Sequence, residues 1–349
     1  MKSITATVLL AVVVGATVIA ARPSAAPVVH RLLVTPDTVA YGYYWSEAKP
    51  VLTIASGDII DVDTLLTNSP RGLAAAGVPD AKIEQSLKDV TAAFPQGDPR
   101  RGPGGHVLTG PVFVTGAEPG DALEVKILSI DFNIEYGYNG CSGFVSELCD
   151  RTTPNTRIIP IDKKTMTAEF MPGIVIPLHP FYGSLGVAPA PELGRVSSNP
   201  PGRHAGNMDN KDLVVGSTIW IPVFAPGALF EIGDGHAAQG DGEVDQTAIE
   251  TSLRGKLQLT VRKGMKLNFP RAETPTDYIA MGTDPDLTVA TRTAIQEMAQ
   301  YLSEIKHLTP KEAYQLMSVA GNVVMTQLVD KPNVGVHVTV AKSLFTGGK

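Results

Sequence analysis

The residues best suited to chemistry lie between Asn199 and Glu250. In this stretch Asn207-Met208-Asp209 is followed by the segment GDGHAAQGDGE, from Gly233 to Glu243. Its glycines allow tight turns that can bring polar groups together. The side chains that could act as acids, bases or ligands are Asp209, Asp234, His236, Asp241 and Glu243. Carboxylates and an imidazole in one place suit a divalent metal ion or an activated water molecule.

Spacing alone supports two interpretations of this segment. Asp234 and His236 are two residues apart, so on an extended chain their side chains leave the same face and can share one ligand. The alternative is a glycine-rich surface hairpin whose acids are solvated. The sequence has no metal motif such as His-Glu-x-x-His, so spacing does not decide between a site and a solvated hairpin.

Longer stretches of the chain resemble one known family. The segments NPPGRHAGNMDNKDL, IPVFAPGALFEIGDGHAAQGDGEV and TAIE are similar to segments of the acetamidase/formamidase family. The likeness continues through His106–Ile130, Ile176–Pro189 and Glu312–Asp330, and covers most of the chain beyond about Thr35. Long matches in a fixed order are more specific than any short motif. The resemblance implies hydrolysis of short-chain linear amides, such as formamide or acetamide, to a carboxylate and ammonia.

The resemblance also implies roles for individual residues. Asp209, Asp234 and His236 take the positions of metal ligands, and zinc or calcium is the expected ion. Glu243 is the expected general base and proton carrier. Glu250 is the catalytic candidate held in reserve for Glu243.

Two further histidines are candidates through the same resemblance. His204 is a catalytic candidate because formamidase-like sequences resemble this chain in having a histidine there, although Ala205 replaces the glycine that usually follows. His106 precedes the Leu-Thr-Gly-Pro segment, where the family commonly has a histidine, and is a candidate ligand or substrate contact. The alternative for His106 is a purely structural loop histidine.

The segment from His179 to Gly186 is a candidate substrate-binding turn. His179-Pro180-Phe181 is followed by Gly183 and Gly186, so the backbone can approach a ligand closely. Backbone N–H groups in such a turn can stabilise an oxyanion. The alternative is a packed turn with Phe181 in the core.

Amide hydrolysis restricts the chemistry that these residues can perform. It needs a nucleophile, a group that stabilises the oxyanion and a proton for the departing nitrogen. The sequence has no Gly-x-Ser-x-Gly nucleophile motif. Water activated by a metal ion or a carboxylate is therefore the predicted nucleophile.

Composition predicts a mainly β protein with α+β character. The 349 residues include 34 glycines and 27 prolines with only 6% aromatic residues, a pattern typical of many turns and short strands. We expect a sandwich or jelly-roll-like β body over residues 27–265. A net charge of −6 gives no basic surface for nucleic acid.

The first 26 residues read as a secretory signal peptide. Lys2 precedes an apolar run from Ile4 to Ala21, and Ser24-Ala25-Ala26 offers small residues for cleavage. An uncleaved membrane anchor is the alternative, because the run reaches about the length of a membrane span. Either reading places the mature chain in an oxidising compartment, periplasmic or secreted, with the membrane contacted only through this segment.

Export bears on the only cysteines, Cys141 and Cys149. A disulfide between them would stabilise the short loop by about 2–3 kcal/mol in the chain-entropy model. The alternative is a nucleophilic thiol, as in cysteine-dependent amidases.

An insertion and a C-terminal module complete the predicted organisation. Residues 69–105 form a polar excursion containing one helix, Asp80 to Ala93, which is either a lid or a surface insertion. Residues 266–349 are predicted to form a smaller α+β module with no catalytic group. Apolar residues from Leu287 to Ile305 predict one helix, a capping box at Thr309 predicts a second up to about Val319, and two strands follow.

The sequence thus leaves two functions from different classes. One is an amide hydrolase with a small amide as substrate and a homo-oligomeric assembly. The other is an exported binding protein that keeps the same scaffold without turnover.

Overall fold

The computed structural model describes residues 26–150 and 155–347. The predicted signal peptide, residues 1–26, lies outside the described residues except for Ala26, and it stays a prediction. None of the described helices combines the length and apolar character that a membrane span requires.

Short strands dominate the chain. The first eleven are β1 Val29–Leu32, β2 Val39–Tyr41, β3 Tyr43–Tyr44, β4 Leu52–Ile54, β5 Ile59–Asp63, β6 Val107–Val114, β7 Ala122–Phe132, β8 Tyr136–Asn139, β9 Arg157–Asp162, β10 Thr167–Met171 and β11 Ile174–Pro177. The remainder are β12 Phe181–Gly186, β13 Val196–Ser197, β14 Pro201–Gly202, β15 Ala205–Asn207, β16 Thr218–Pro222, β17 Phe230–His236, β18 Glu250–Thr251, β19 Leu253–Arg262, β20 Arg271–Glu273, β21 Asp277–Asp284, β22 Gly321–Gln327 and β23 Val334–Ala341.

Helices are few among the described residues, and the two longest lie in the C-terminal third. The α-helices are α1 Pro70–Ala75, α2 Gln85–Ala93, α3 Leu287–Lys306 and α4 Pro310–Ala320. Short 3₁₀ segments cover Asp80–Lys82, Gly143–Leu148, Pro191–Leu193 and Lys342–Leu344.

The strands form two large sheets that enclose the main core. One sheet has nine strands in the order β1-β5-β19-β7-β16-β20-β21-β23-β22. The other has twelve, with β11-β10-β9-β8-β18-β17-β12-β15-β14 as its main path and β6, β2 and β4 joined beside β17. Side chains from both sheets share one buried cluster, including Ile60, Leu123 and Leu257 from the first and Val112, Leu185 and Phe230 from the second. The predicted mainly β, sandwich-like body is confirmed.

Residue patterns explain which strands lie at the centre. In β19, Leu253, Leu257 and Leu259 are buried while Arg254 and Lys256 are exposed, the alternation expected of a strand with one face on the core. In contrast, every residue of β12 and β17 is buried. These two neighbouring strands therefore lie in the interior of the molecule, where charged and polar side chains are uncommon.

The excursion at residues 69–105 differs from its prediction in one respect. The chain is extended at Ile83 and Glu84, so a 3₁₀ turn and α2 replace the single predicted helix. Ile83 is buried in a second core together with Val107 and Tyr136 of the body, and Glu84 accepts a hydrogen bond from Ser252, which lies between β18 and β19. These two contacts with the body explain the break. An additional helix, α1, begins after the N-cap Ser69 with Pro70 in its first turn.

The C-terminal elements agree closely with their sequence patterns. Helix α3 buries an apolar face that includes Ala290, Met298 and Leu302. The predicted capping box of α4 is present, since Thr309 and Glu312 exchange side-chain and backbone hydrogen bonds. Strands β20 to β23 continue the nine-stranded sheet beyond β16.

The two cysteines form the predicted disulfide. Cys141 and Cys149 are bonded across the 3₁₀ segment that lies between them. This bond excludes the nucleophilic thiol in this state of the protein.

Candidate functional site

Adjacent strands of the twelve-stranded sheet bring the candidate residues together. Asp234 and His236 lie at the end of β17, and His236 pairs with Glu250 of β18. On the other side of β17, strand β12 contributes Gly183. Strand β15 follows and ends at Asn207, two residues before Asp209. Asp209, Asp234, His236 and Glu243 are therefore buried in the protein interior and do not lie on a solvated hairpin.

Gly183 forms the floor of this site. A Cβ atom at this position would lie 2.6 Å from Asp209 Oδ1, 2.6 Å from Asp234 Oδ2 and 2.7 Å from His236 Cε1. The Gly183 carbonyl accepts hydrogen bonds from the backbone N–H groups of Met208 and Asp209. The absence of a side chain at Gly183 thus lets both carboxylates and the imidazole meet.

The backbone of the cluster is unusual for its residue types. Asp209, Asp234 and Glu243 have φ values of 51°, 55° and 44°, in the left-handed region that favours glycine. Conformations of this kind are unfavourable and concentrate at functional sites, where surrounding contacts enforce them. With this backbone conformation the three acidic side chains are buried in the interior, which is consistent with a functional site.

His236 is the central residue, and its tautomer follows from its neighbours. Gln239 donates from Nε2 to the Asp209 carbonyl at 2.7 Å, which places Gln239 Oε1 at 2.9 Å from His236 Nδ1. Because Oε1 only accepts, Nδ1 carries a proton and donates it. In the neutral imidazole, Nε2 is then free to bind a metal ion.

The Nε2 atom of His236 lies among carboxylate oxygens. It is 3.3 Å from Asp234 Oδ2 and 3.2 Å from Glu250 Oε1. Burial by itself lowers the pKa of His236, but Glu250 and Asp234 outweigh burial and raise it well above its usual range. The same negative field that holds a proton at Nε2 would hold a metal cation.

Burial dominates the electrostatics of the remaining acids. It raises the pKa of Asp209 well above its usual range, and the charges of Glu243 and then Asp330 raise it further. Burial likewise raises the pKa of Glu243 and of Glu250. Asp234 is the exception: although burial favours its neutral form, His106 and His236 hold its pKa well below the usual value.

The donor set fits a divalent metal ion. Asp209, His236 and Glu243 offer ligand atoms within 4.8 Å of one another, and so do Asp234, His236 and Glu250. Asp209 Oδ1 and Glu250 Oε2 are buried without a hydrogen-bond partner among the described residues. Polar atoms left in this way are costly unless a ligand satisfies them.

A cavity of about 490 Å³ opens over this cluster. Its lining includes His106, Asp234, Glu243, Glu250, Gln246 and Asp330. His106 contacts the Ser198 carbonyl and hydroxyl through Nδ1, both at 3.1 Å, and its Nε2 lies 3.7 Å from Asp234 Oδ2. The predicted substrate contacts His106 and Gly183 therefore both lie at the site.

Three residues that the sequence singled out lie elsewhere. His179 lines a different cavity, of about 960 Å³, and its backbone N–H donates to Ala237. His204 packs its ring edge-on against Tyr44 with ring centroids 5.1 Å apart, and burial lowers the pKa of His204 to about 4. Asp241 forms an ion pair of 2.7 Å with Lys211. None of them is among the residues that line the acidic cavity.

The residues that organise the cluster, above all Asp330, were not among the candidates predicted from the sequence. The Nδ2 atom of Asn207 donates to Asp209 Oδ2 at 2.9 Å and to Asp330 Oδ2 at 2.8 Å. Gln246 Nε2 donates to Asp330 Oδ1 at 2.6 Å. The C-terminal segment thus supplies a cavity residue, contrary to our expectation. In the sequence, Asp330 was marked only by being the last residue of the segment Glu312–Asp330, which resembles the family.

The fold and the acidic cavity together define a mainly β protein with a candidate metal-assisted hydrolytic site. The model of the Acetamidase/Formamidase family matches residues 103–199 and 194–347. The chain belongs to the acetamidase/formamidase family, which confirms the resemblance found in the sequence.

Known relatives agree with this membership. The chain is 28% identical over 201 residues to an acetamidase of Mycolicibacterium smegmatis, a match covering 40% of this chain and 49% of that protein. It is 27% identical over 195 residues to a formamidase of Methylophilus methylotrophus, covering 40% and 47%. The chain thus spans about half the length of these relatives. The crystal structure of an acetamidase from Bacillus halodurans superposes with a TM-score of 0.74 at 27% identity, covering 90% of this chain and 98% of that one.

Proposed function

We propose that this protein hydrolyses short-chain primary amides, such as formamide and acetamide, to a carboxylate and ammonium. The observation that carries the proposal is the buried set of carboxylates around His236 Nε2, at the bottom of a cavity in a member of this family. The exported binding protein without turnover is the weaker alternative. Simple binding of a neutral amide gives no reason to bury so many uncompensated acids.

We propose further that the site holds a divalent metal ion. His236 would bind it through Nε2 together with Asp209 and Asp234, and Glu250 lies close enough to add an oxygen ligand. Of the two ions that the sequence suggested, the imidazole favours zinc, because calcium takes oxygen ligands almost entirely. When bound, such an ion polarises a carbonyl group and makes water a better nucleophile.

The protein's own residues would guide the proton. In this scheme Glu243 accepts a proton from the attacking water as the new C–O bond forms. Burial raises its pKa, so Glu243 holds an accepted proton more tightly than a solvated carboxylate does. Glu243 then donates this proton to the nitrogen and the C–N bond breaks, which gives the carboxylic acid and ammonia; the acid's own proton then passes to ammonia, so the products are carboxylate and ammonium. Glu250 remains the replacement candidate for this role.

His106 and Gly183 are the proposed substrate contacts. His106 lines the cavity with its ring fixed by Ser198, so it presents a fixed polar group to a bound amide. Gly183 has no side chain, so Asp209, Asp234 and His236 can pack directly against its backbone, and a substrate held by these residues would lie close to it. His179 and His204 are not part of this proposal, because both lie outside the acidic cavity.

We also propose that the protein is exported, to the periplasm or beyond, and works as a homo-oligomer. The residues that would direct export lie in the undescribed N-terminus. The Cys141–Cys149 disulfide supports an oxidising compartment. Mass spectrometry of the secreted chain tests export, because removal of the signal peptide shortens the chain. The molecular mass of the assembly in solution tests whether the protein is a homo-oligomer.

Ammonia release from formamide and acetamide tests the proposed function. The purified mature protein should release ammonia from both, with activity lost after treatment with a strong chelator and restored by added zinc. Binding of acetamide without ammonia release, under metal-replete conditions, would instead support the non-catalytic alternative.

A further inference from the structure

We propose that Asp330 and Asn207 form the binding pocket for the amide nitrogen and so select primary amides over esters and fully substituted amides. This inference rests on the proposed function and adds to it the chemical feature by which the substrate is recognised. It concerns residues outside both groups that could hold a metal ion.

Asp330 is a fixed acceptor at the cavity wall. It is 7% exposed and lines the cavity. Gln246 and Asn207 each donate one hydrogen bond to it, at 2.6 Å and 2.8 Å, to different carboxylate oxygens. A carboxylate has about four lone-pair positions. Asp209 also makes a side-chain hydrogen bond with Asp330, so one position remains for a ligand, while the existing bonds hold the group in one orientation.

The segment that carries Asp330 is itself held in place. Gln327 Oε1 accepts from the backbone N–H groups of Val329 and Asp330, at 2.9 Å and 3.0 Å. The same turn pairs with the loop of Glu243, because the Gly242 N–H donates to the Thr326 carbonyl and Leu328 N–H donates to the Gly242 carbonyl. Asp330 and the proposed base Glu243 are thus positioned relative to each other by backbone contacts.

Asn207 supplies a second acceptor. Its Nδ2 atom donates to the carboxylates of Asp209 and Asp330, and these two acceptors establish which end of the amide is nitrogen. Its Oδ1 atom is buried and has no partner among the described residues. The residue is 1% exposed and lines the cavity. A buried carbonyl oxygen without a donor is costly, and a substrate N–H would satisfy it.

Two acceptors side by side match the chemistry of a primary amide. The nitrogen of formamide or acetamide carries two N–H donors, whereas an ester or a dimethylamide carries none. A site with buried hydrogen-bonding groups rejects an analogue that cannot pair with them. Before the C–N bond breaks, the nitrogen gains a proton and carries a positive charge, and a carboxylate beside it stabilises this charge. Asp330 thus gains importance as the C–N bond breaks.

The test compares three substrates of similar size in the parent protein and in Asp330→Asn. In the parent, kcat/KM should be highest for acetamide and much lower for N,N-dimethylacetamide and methyl acetate. Asp330→Asn should reduce kcat/KM for acetamide by about 10²–10³-fold, as is typical when a fixed group at the reacting centre is lost. Its rate with methyl acetate should change little. Asp37→Asn, an exposed acid with the same change of charge, serves as the control.

Distinct outcomes separate this inference from the proposed function. If the parent releases no ammonia from any amide, the proposed function fails and the inference fails with it. If the parent is an amidase but Asp330→Asn slows acetamide and methyl acetate equally, only the selectivity role of Asp330 is overturned. The comparison of acetamide with N,N-dimethylacetamide in the parent needs no variant, so misfolding of Asp330→Asn cannot obscure it; equal rates there would also overturn the inference.

Discussion

Two groups of buried carboxylates in this protein differ in what surrounds them. Asp58, Asp61 and Asp121 each accept hydrogen bonds from a cationic or imidazole side chain, namely His30, Arg254 and Lys263. By contrast, no described lysine or arginine forms an ion pair with Asp209, Glu243, Glu250 or Asp330, and one imidazole, that of His236, lies 3.2 Å from Glu250 in the midst of these acids. The pKa values of the first group are lowered and those of the second are raised.

We infer that this difference separates acids that stabilise the fold from acids that serve the proposed function. Asp121 illustrates the first kind, since Lys263 and two backbone N–H groups offset the cost of its burial. The acids of the cavity repel one another in a site of low polarity, and this repulsion opposes folding unless protons or a cation neutralise it. The arrangement is explained if a metal ion and a polar substrate complete the site.

The largest effect should follow from Glu243→Gln. The variant keeps the size of the side chain but cannot transfer a proton, so ammonia release should fall by roughly 10²–10⁴-fold. Its thermal midpoint should not fall, because one repelling charge has been removed. Steady-state kinetics and thermal unfolding of the same preparation measure both. Near-parent activity would contradict the assignment of the base and make Glu250 the next residue to change.

The orientation of His236 should have the next largest effect. Gln239→Leu removes the acceptor of the His236 Nδ1 proton, and loss of such a supporting group typically weakens metal binding by about 10–100-fold. Competition with a chromogenic chelator measures this affinity. Gln258→Leu, on the nine-stranded sheet, is the matched control because Gln258 donates to the Gly57 carbonyl instead. Equal affinities in the two variants would show that Gln239 does not support a metal ligand.

The first group of acids should affect stability and leave turnover intact. Asp121→Asn weakens the contact with Lys263 and its backbone partners, so the free energy of unfolding should fall by about 1–3 kcal/mol. Urea unfolding measures the loss. Ammonia release by the folded variant should match that of the parent; a fall like that of Glu243→Gln would erase the distinction between the two groups.

The smallest expected effect is on the pH dependence of stability and comes from Glu84. This acid is largely buried but lies outside the proposed metal site. Burial raises the pKa of Glu84 from 4.5 to about 7, despite its hydrogen bond from Ser252. Because the pKa is higher in the folded protein, this group's contribution to stability is full below about pH 4.5 and is lost as pH rises through about 7. Thermal midpoints at pH 5 and pH 8 should therefore differ less in Glu84→Gln than in the parent. The same pH dependence in both proteins would exclude Glu84 as its source.

The sequence predicts the parts of this structure that depend on local patterns. Periodic apolar residues and the Thr309 capping box predict α3 and α4 well, because such signals lie within each helix. Glycines around Asp234 and His236 indicate a compact polar segment, and the family resemblance supplies candidate ligands.

Contacts between distant residues leave no such local signal. Asn207 and Asp330 are 123 positions apart, and only the packing of β15 beside the C-terminal turn joins them. His204 shows the opposite error, because its place within a matching segment did not indicate that its ring would pack against Tyr44. The break before α2 depends on contacts of Ile83 and Glu84 with other parts of the fold. Residue type and spacing therefore predict that a site exists better than they predict its members.

The most direct test of the account is a stepwise removal of metal from the active protein. Samples of one preparation are dialysed against increasing concentrations of chelator, and each is analysed for metal content and for ammonia release from acetamide. We expect activity to fall in proportion to bound metal and to return when zinc is restored. Full activity in samples that contain no metal would contradict a metal ion at His236 and require water activated by carboxylates alone.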